Sequence, residues 1–435
     1  MKRPFWSVLL ALSALASAGA QTAPRTTLSL DEALTIAERN NPQYLQALTG
    51  RSRAQAGMRA AWGALFPSAD ASIGAGYREG RQQFFGGVPI GATSDIISSS
   101  WNLSASQRLN VGTFANIKSA NAQLDAADAE LDAARFVLRS SVSAQFLLAL
   151  QTEARAALQD TLVVQQRLQL ELAQARAGVG SGTTLDVKRA EVGLGTQEVA
   201  ALRARNTAEV ERLRLFQQLG VPMPGEVILD GRLPMTVPEF ELEDLLATAR
   251  RANPALMAVQ ARQRVADAGV RSARGEYTPS LSFNATIGGN AQAPADSGFP
   301  STFARNPYNL SVNLSIPIFD GLSREQRLQA AHAGRADATY NVRRQELTLT
   351  TEVTAALVTL QAGHRAVELQ ARNAITAREA LQLAEERYRV GANTFVDLTT
   401  ARAEYERAET DRIDAVYEFH RAFAALENAV GRTLR

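Results

Sequence analysis

The 435-residue chain contains no cysteine. That excludes disulfides, thiolate metal sites and lipid attachment to a mature N-terminal cysteine. Beyond the first twenty residues no stretch approaches the roughly 18 apolar residues that a membrane helix needs, so any membrane contact must be made by strands. Neither sign of charge dominates: the formal net charge is +2, and basic residues alternate with acidic ones. Nucleic acid is therefore not an expected partner, because phosphate binding needs clustered positive charge. Histidine is scarce, and His332, His364 and His420 stand at no ligand spacing on long helical segments, where they read as solvated. No metal, cofactor or catalytic constellation is expected, and hence no enzyme. Gly178 to Thr183 resembles a phosphate loop only superficially, since it lacks lysine and follows a helix where a strand is required. Proline is missing from Ile90 to Val221 and again after Pro317, which leaves two long tracts free of the residue that breaks helices.

What is present begins with an export signal at residues 1–20. Lys2 and Arg3 precede a short apolar core, Trp6 to Leu15, and Ala18-Gly19-Ala20 forms a small-x-small cleavage site before Gln21. The rest is written twice. Asn41-Pro42 returns as Asn253-Pro254, a spacing of about 212 residues, far longer than a solenoid repeat. At that offset roughly 14 of about 39 positions agree without a gap, from Leu30/Leu242 to Pro67-Ser68/Pro279-Ser280. Gly112 answers Gly321, Gly180 answers Gly391, and Leu219-Gly220 answers Val430-Gly431. Residues 21–230 and 231–435 are therefore expected to be two structural repeats building one pseudo-symmetric object.

Each half reads as a short helix, two strands, a very long helix, a tight turn and a medium helix. Ser29 and Glu32 form a capping box opening the first helix, which stops near Asn41. A second helix runs to about Phe66, before Pro67. The period then changes to two. Trp101, Leu103, Ala105, Gln107 and Leu109 alternate with Asn102, Ser104, Ser106 and Arg108. Leu281 to Gly288 and Tyr308 to Ile318 alternate more cleanly, and Ala69 to Tyr77 more weakly. That gives four strands of about 9–12 residues, enough to cross a bilayer when tilted. Long Gly/Pro/Ser/Asn connections, Arg78 to Ser98 and Gly289 to Arg305, fit extracellular loops of outer-membrane barrels. An ordinary antiparallel sheet with one wet face alternates identically, although an Asn/Ser/Thr face nearly free of charge fits a water-filled lumen better.

After Gly112 and Gly321 the Ala/Gln/Glu/Arg/Leu-rich segments from Thr113 and Ser323 to about Arg176 and Arg387 read as uninterrupted helices. At about 65 residues each would be roughly 100 Å long, the length of a coiled coil or helical barrel. Shorter helices, Thr184 to about Leu219 and Thr394 to about Val430, return. Two short helices stacked end to end then match one long helix. The two turns are the places where function is expected. Gly180 and Gly391 suit left-handed helix ends, and Thr183-x-x-Asp186 and Thr394-x-x-Asp397 read as capping boxes. The same carboxylates, ringed around a tube end, would also favour cations.

At this point the chain resembles the TolC-like outer-membrane efflux channels over essentially all of its mature length. The carriers are the duplicated start (Leu34 to Pro42, Leu246 to Pro254), the Pro-Ser before each first strand, and Ile316-Pro317-Ile318-Phe319-Asp320-Gly321. The most specific is Arg387-Tyr388-Arg389-Val390-Gly391-Ala392-Asn393-Thr394-Phe395-Val396-Asp397. Arg176 to Asp186 is a weaker copy with Ala177 in place of the tyrosine. The resemblance implies a mainly α fold with membrane β: a long α-helical barrel plus a four-strand contribution to a trimeric transmembrane β-barrel, because four strands cannot close one alone. It implies a homotrimer in outer-membrane lipid, its helices in the periplasm, serving a periplasmic adaptor and an inner-membrane pump as a passive exit duct of a tripartite efflux or type I secretion system. It also assigns residues. Asp397 stands at the constricting aspartate, and Tyr388 and Asp186 match a pair that holds the turn shut. Asn393 and Thr400 replace an arginine and an aspartate, which implies a gate less firmly locked and less cation-selective. Val390, Gly391, Ala392 and Asn393, with Gly180, Ser181, Gly182 and Thr183, are the expected adaptor-docking turns. The alternative is a secreted or periplasmic coiled-coil structural protein whose strands form a small soluble sheet.

Overall fold

A computed structural model of the chain describes residues 26–80, 83–90, 94–225, 227–231, 239–305 and 307–434. The expected export signal lies outside the described residues. The first half runs β1 (Thr26–Leu28), α1 (Leu30–Asn40), α2 (Pro42–Gly63), β2 (Ser68–Arg78), β3 (Gln83–Phe85), β4 (Val88–Ile90), β5 (Ile96–Leu109), α3 (Val111–Gly178) and α4 (Thr184–Leu219). After β6 (Val227–Leu229) the order returns: α5 (Leu242–Ala252), α6 (Pro254–Gly275), β7 (Ser280–Pro294), β8 (Ala304–Arg305), β9 (Asn309–Ser315), α7 (Ser323–Arg389) and α8 (Phe395–Val430). At 68 and 67 residues, α3 and α7 are roughly 100 Å long.

The duplicated Asn-Pro is where three helix ends meet. The Asn41 backbone N–H closes α1 on the Ala37 carbonyl at 2.8 Å. Its side-chain oxygen caps α2 by accepting from the N–H groups of Gln43 and Tyr44, at 2.9 and 3.1 Å. Its carboxamide NH2 donates to the Gln218 carbonyl at the end of α4, at 2.7 Å. Asn253 repeats the arrangement with Ala249, Leu256 and Ala429. Pro follows because the first helical position needs no N–H donor. Gly220 and Gly431 close the knot from the other side with φ of 76° and 81°. A side chain on Gly220 would come within 2.3 Å of the Asn40 carbonyl oxygen, and one on Gly431 within 2.6 Å of the Asn253 Cα. In each half a short helix pair thus forms a column beside one long helix. Around these knots sit two matching cores, one containing Val142, Phe146, Leu215 and Leu219, the other Leu349, Val353, Phe419 and Leu426.

The large sheet runs β2-β5-β7-β9, every neighbour antiparallel. Its register lines up like residues across all four strands. Ala69, Ala105, Ala285 and Leu310 form one row, and Ser68, Ser106, Asn284 and Ser311 the next. One face is therefore apolar and the other Ser/Asn/Thr-rich, with Ile73 89% and Leu310 71% exposed on the apolar side. Three strands are longer than expected or at the expected limit, at 11, 14 and 15 residues, and β7 continues through Gly289 to Pro294. The fourth is shorter, 7 residues ending at Ser315. Pro317 has no N–H to extend the ladder, and Ile316 to Gly321 instead form the link to α7, held by the buried Arg324 through the carbonyls of Pro317 and Ile318 (3.1 and 3.2 Å). The reading of three solvated histidines also needs correction: His420 is buried, its ring 5.1 Å from that of Phe419. No helix among the described residues is long and apolar enough to cross a membrane.

Both layers end in open edges on the same two sides. Among the described residues β2 pairs only with β5 and β9 only with β7. Helix α2 packs along α3 and buries none of its residues, while α7 packs along α6 and α8. Replacing Asn253 by Ala removes a helix cap and leaves the Ala429 carbonyl without its donor, so a loss of about 2 kcal/mol is expected. The helical circular-dichroism melt of purified protein measures it, and Asn41→Ala should match within error.

Candidate functional site

The two helix–helix turns are built alike. At the end of α3 the N–H groups of Ser181 and Gly180 reach back to the carbonyls of Arg176 and Ala177, at 2.9 and 3.1 Å. At the end of α7, Ala392 and Gly391 bond Arg387 and Tyr388 at 2.8 and 3.0 Å. These are Schellman pairs, and they require the left-handed φ of 74° and 81° that Gly180 and Gly391 adopt. The returning helices open on capping boxes. The Asp186 N–H donates to the Thr183 hydroxyl at 3.1 Å, and the Asp397 N–H to that of Thr394 at 3.2 Å. Each carboxylate accepts from the threonine N–H in return, at 3.4 and 2.9 Å. Asp397 accepts in addition from the Thr394 hydroxyl, at 2.7 Å. The side-chain and backbone donors of Thr394 hold the exposed Asp397 carboxyl below the ordinary aspartate value of 3.8.

The remaining expected residues separate into two groups. Val390, Gly391, Ala392, Gly180, Ser181 and Thr183 are exposed at the tip, with Gly182 and Asn393 half-buried among them. Thr400 is exposed on α8, and its hydroxyl is spent on the Val396 carbonyl, 3.0 Å away. Tyr388 is buried against Phe395, ring centroids 6.0 Å apart. Its hydroxyl has no hydrogen-bond partner among the described residues. Burial raises its pKa, and the nearby Asp186 carboxylate raises it further. Asp186 thus lies close enough to be felt while its oxygens serve the capping box.

What fastens the two turns is Arg176, which the sequence reading did not single out. Its guanidinium stacks 4.4 Å from the centroid of the Tyr388 ring and donates both to the Tyr388 carbonyl and to the Ser181 carbonyl, the latter at 2.9 Å. A cation is thereby placed on a carbonyl in the last turn of α7, where the helix dipole favours it, and on the turn that follows α3. The tip core beneath contains Leu162, Ala190, Leu381, Phe395 and Leu398 from all four helices. A cation–π contact of this kind contributes about 1 kcal/mol, so Arg176→Ala should speed tryptic cleavage after Arg387 and Arg389 severalfold, scored by mass spectrometry.

With this geometry in view, known proteins supply the context. The outer membrane efflux protein family model matches twice, over residues 33–221 and 245–432. The chain is 25% identical over 417 residues to the pyoverdine export outer membrane protein OpmQ of Pseudomonas putida, covering 92% of this chain and 85% of that protein. It is 23% identical over 426 residues to the outer membrane protein TolC of Vibrio cholerae, covering 97% and 95%. Its fold is similar to that of the Campylobacter jejuni CmeC outer membrane channel, with a TM-score of 0.79 at 16% identity, covering 98% of this chain and 94% of that one. Two matched segments, two matched structural halves and one shared fold lead to a single assignment: the chain belongs to the outer membrane efflux protein family.

Proposed function

We propose that three copies of this chain close into one outer-membrane exit duct, each contributing two repeats, residues 21–230 and 231–435. The observation that carries the reading is the register of the large sheet. It gathers the apolar side chains of four strands on one face and the Ser/Asn/Thr side chains on the other, while leaving both edge strands unpaired. Such a sheet separates lipid from water only when its edges are sealed. Three copies supply twelve strands, above the roughly eight that the smallest membrane barrels need. The open flank at β2 and α2 meets the open flank at β9 and α7 of the next copy, a head-to-tail contact that closes a ring. The long helices continue the tube into the periplasm.

In this reading the turns are the periplasmic gate. Six carboxylates, Asp186 and Asp397 from each copy, face the narrow end and favour cations, with Tyr388, Asn393 and Thr400 setting how firmly it closes. The exposed residues of both turns receive a periplasmic adaptor, which connects the duct to an inner-membrane pump. The relatives' names support export as the common task, by tripartite efflux or type I secretion. A periplasmic coiled-coil rod would not need a sheet with an exposed apolar face on every strand, so the structural alternative is not favoured.

In planar bilayers the purified protein should conduct with cation preference, and it should migrate as a heat-modifiable trimer from the outer-membrane fraction. A monomer in detergent that is electrically silent would overturn the reading. Asp397→Ala should reduce cation preference and divalent-ion block. The pH dependence has a fixed sign. Because its donors stabilise the charged form, Asp397 stays ionised as pH falls and protonates only below 3.8. Its part in selectivity, and any stability its capping adds, is present above that value and lost beneath it. Reversal potentials measured from pH 7 down to pH 3 check this.

A further inference from the structure

Helix α6 shows what its twin α2 lacks. It lies between two long helices, α3 and α7, and buries Ala261, Ala268 and Gly275. Helix α2 packs along α3 and buries nothing. By the step that takes Asn41 to Asn253, the counterparts of those three residues on α2 are Thr49, Ala56 and Gly63, all exposed. The long helices match by the step that takes Val142 to Val353, which is two residues more than the step between Gly112 and Gly321. Side-chain contacts obey both steps. Arg51 of α2 pairs with Asp128 of α3 at 2.5 Å, and their counterparts Gln263 and Thr339 bond at 3.1 Å. The joint within one repeat thus has its copy in the other. The joint between repeats, α3 against α6, has a copy only where α7 meets α2 of another chain.

The α3–α6 joint is tightest where strands give way to helices. Ser272 donates to the Asn116 side-chain oxygen at 2.5 Å. A side chain on Gly275 would come within 2.7 Å of the Gly112 Cα and 3.3 Å of the Val111 carbonyl carbon, so the two backbones touch there. The counterparts of Val111 and Gly112 are Leu322 and Ser323, the cap and the first residue of α7. Among the described residues Leu322 is the one non-glycine with a left-handed φ, 65°, and it is 62% exposed. Such a conformation persists where its surroundings over-determine it. On the other side, Gly63 has nothing within 4 Å of the place where a side chain would stand. Its backbone is not left-handed, so neither packing nor conformation within one chain calls for glycine. Gly57 sharpens the comparison. It also faces open space, but so does its counterpart Gly269, although α6 is flanked on both sides.

We infer that Gly63 of one copy packs on the Leu322–Ser323 peptide of the next, and that this contact of backbones fixes the register in which copies join. It deepens the reading of three copies as one duct and depends on it. The occupant is a second copy of this chain, because α7 repeats the surface that α3 presents to α6. At the same joint Ala60 meets Arg327, the counterparts of Ser272 and Asn116.

The test uses the full chain purified in detergent, where the absence of cysteine leaves no background thiol. Gly63→Val should lose the trimer band on unheated gels at unchanged helical circular dichroism, and Gly57→Val should keep it. Gly63→Ala should lower the temperature at which the band is lost. With Ala60→Cys and Arg327→Cys in one chain, oxidation should link three copies. With Ala60→Cys and Gly334→Cys, two turns further along α7, it should not. Should Gly63→Val lose its helical signal, the two cysteine pairs decide. A full trimer band in folded Gly63→Val overturns the contact while leaving the duct intact. So do trimers that are linked through Gly334→Cys, or that Arg327→Cys fails to link. A wild-type protein that is monomeric would instead sink the duct reading itself.

Discussion

Everything in this architecture depends on the hydrogen-bonding of two asparagine side chains. Asn41 and Asn253 are buried, and each satisfies the end of one helix, the start of a second and the last carbonyls of a third. Helix ends carry unpaired donors and acceptors that must find partners when water is excluded. One carboxamide, with an acceptor on one side and a donor on the other, serves both kinds at once. The consequence is mechanical. Two short helices become one column, long enough to run beside a helix of 68 or 67 residues. The strands above and the turns below then hold a fixed separation along the same axis.

The second constraint is that the single chain is an incomplete surface. A sheet with lipid-like side chains on one face and amides and hydroxyls on the other has two unpaired edges. Directly beneath, α2 buries none of its residues although it is 22 residues long. Helices of this length draw most of their stability from packing an apolar face rather than from propensity. Both deficits fall on the same flanks, so one association relieves them together.

Features that act locally were legible in the sequence. The capping boxes at Thr183/Asp186 and Thr394/Asp397, the glycines that end the long helices, and the alternation of four strands each depend on residues a few positions apart. The asparagines were visible as a repeat, but the partner of Asn41 lies at Gln218, and no local pattern reveals so distant an acceptor. Arg176 escaped for the same reason, since it answers a carbonyl in the other half of the chain. The fourth strand was overextended because Ile316 and Ile318 continue the alternation in the letters, while Pro317 has no donor to continue the ladder. His420 looked solvated because a histidine on a polar, alanine-rich helix gives no sign of which face turns inward. It is buried all the same, against the ring of Phe419.

The turns themselves are poor places for motion. Schellman pairs satisfy the carbonyls at the end of each long helix, and capping boxes satisfy donors at the start of each returning one. Bending a turn would break several of these bonds at once and expose the apolar tip core. Moving one whole hairpin against the other would part the same core, because Leu162 and Ala190 come from one hairpin and Leu381 and Leu398 from the other. The two turns and the apolar core beneath them therefore form one rigid tip, in which a change at either turn is felt by both long helices.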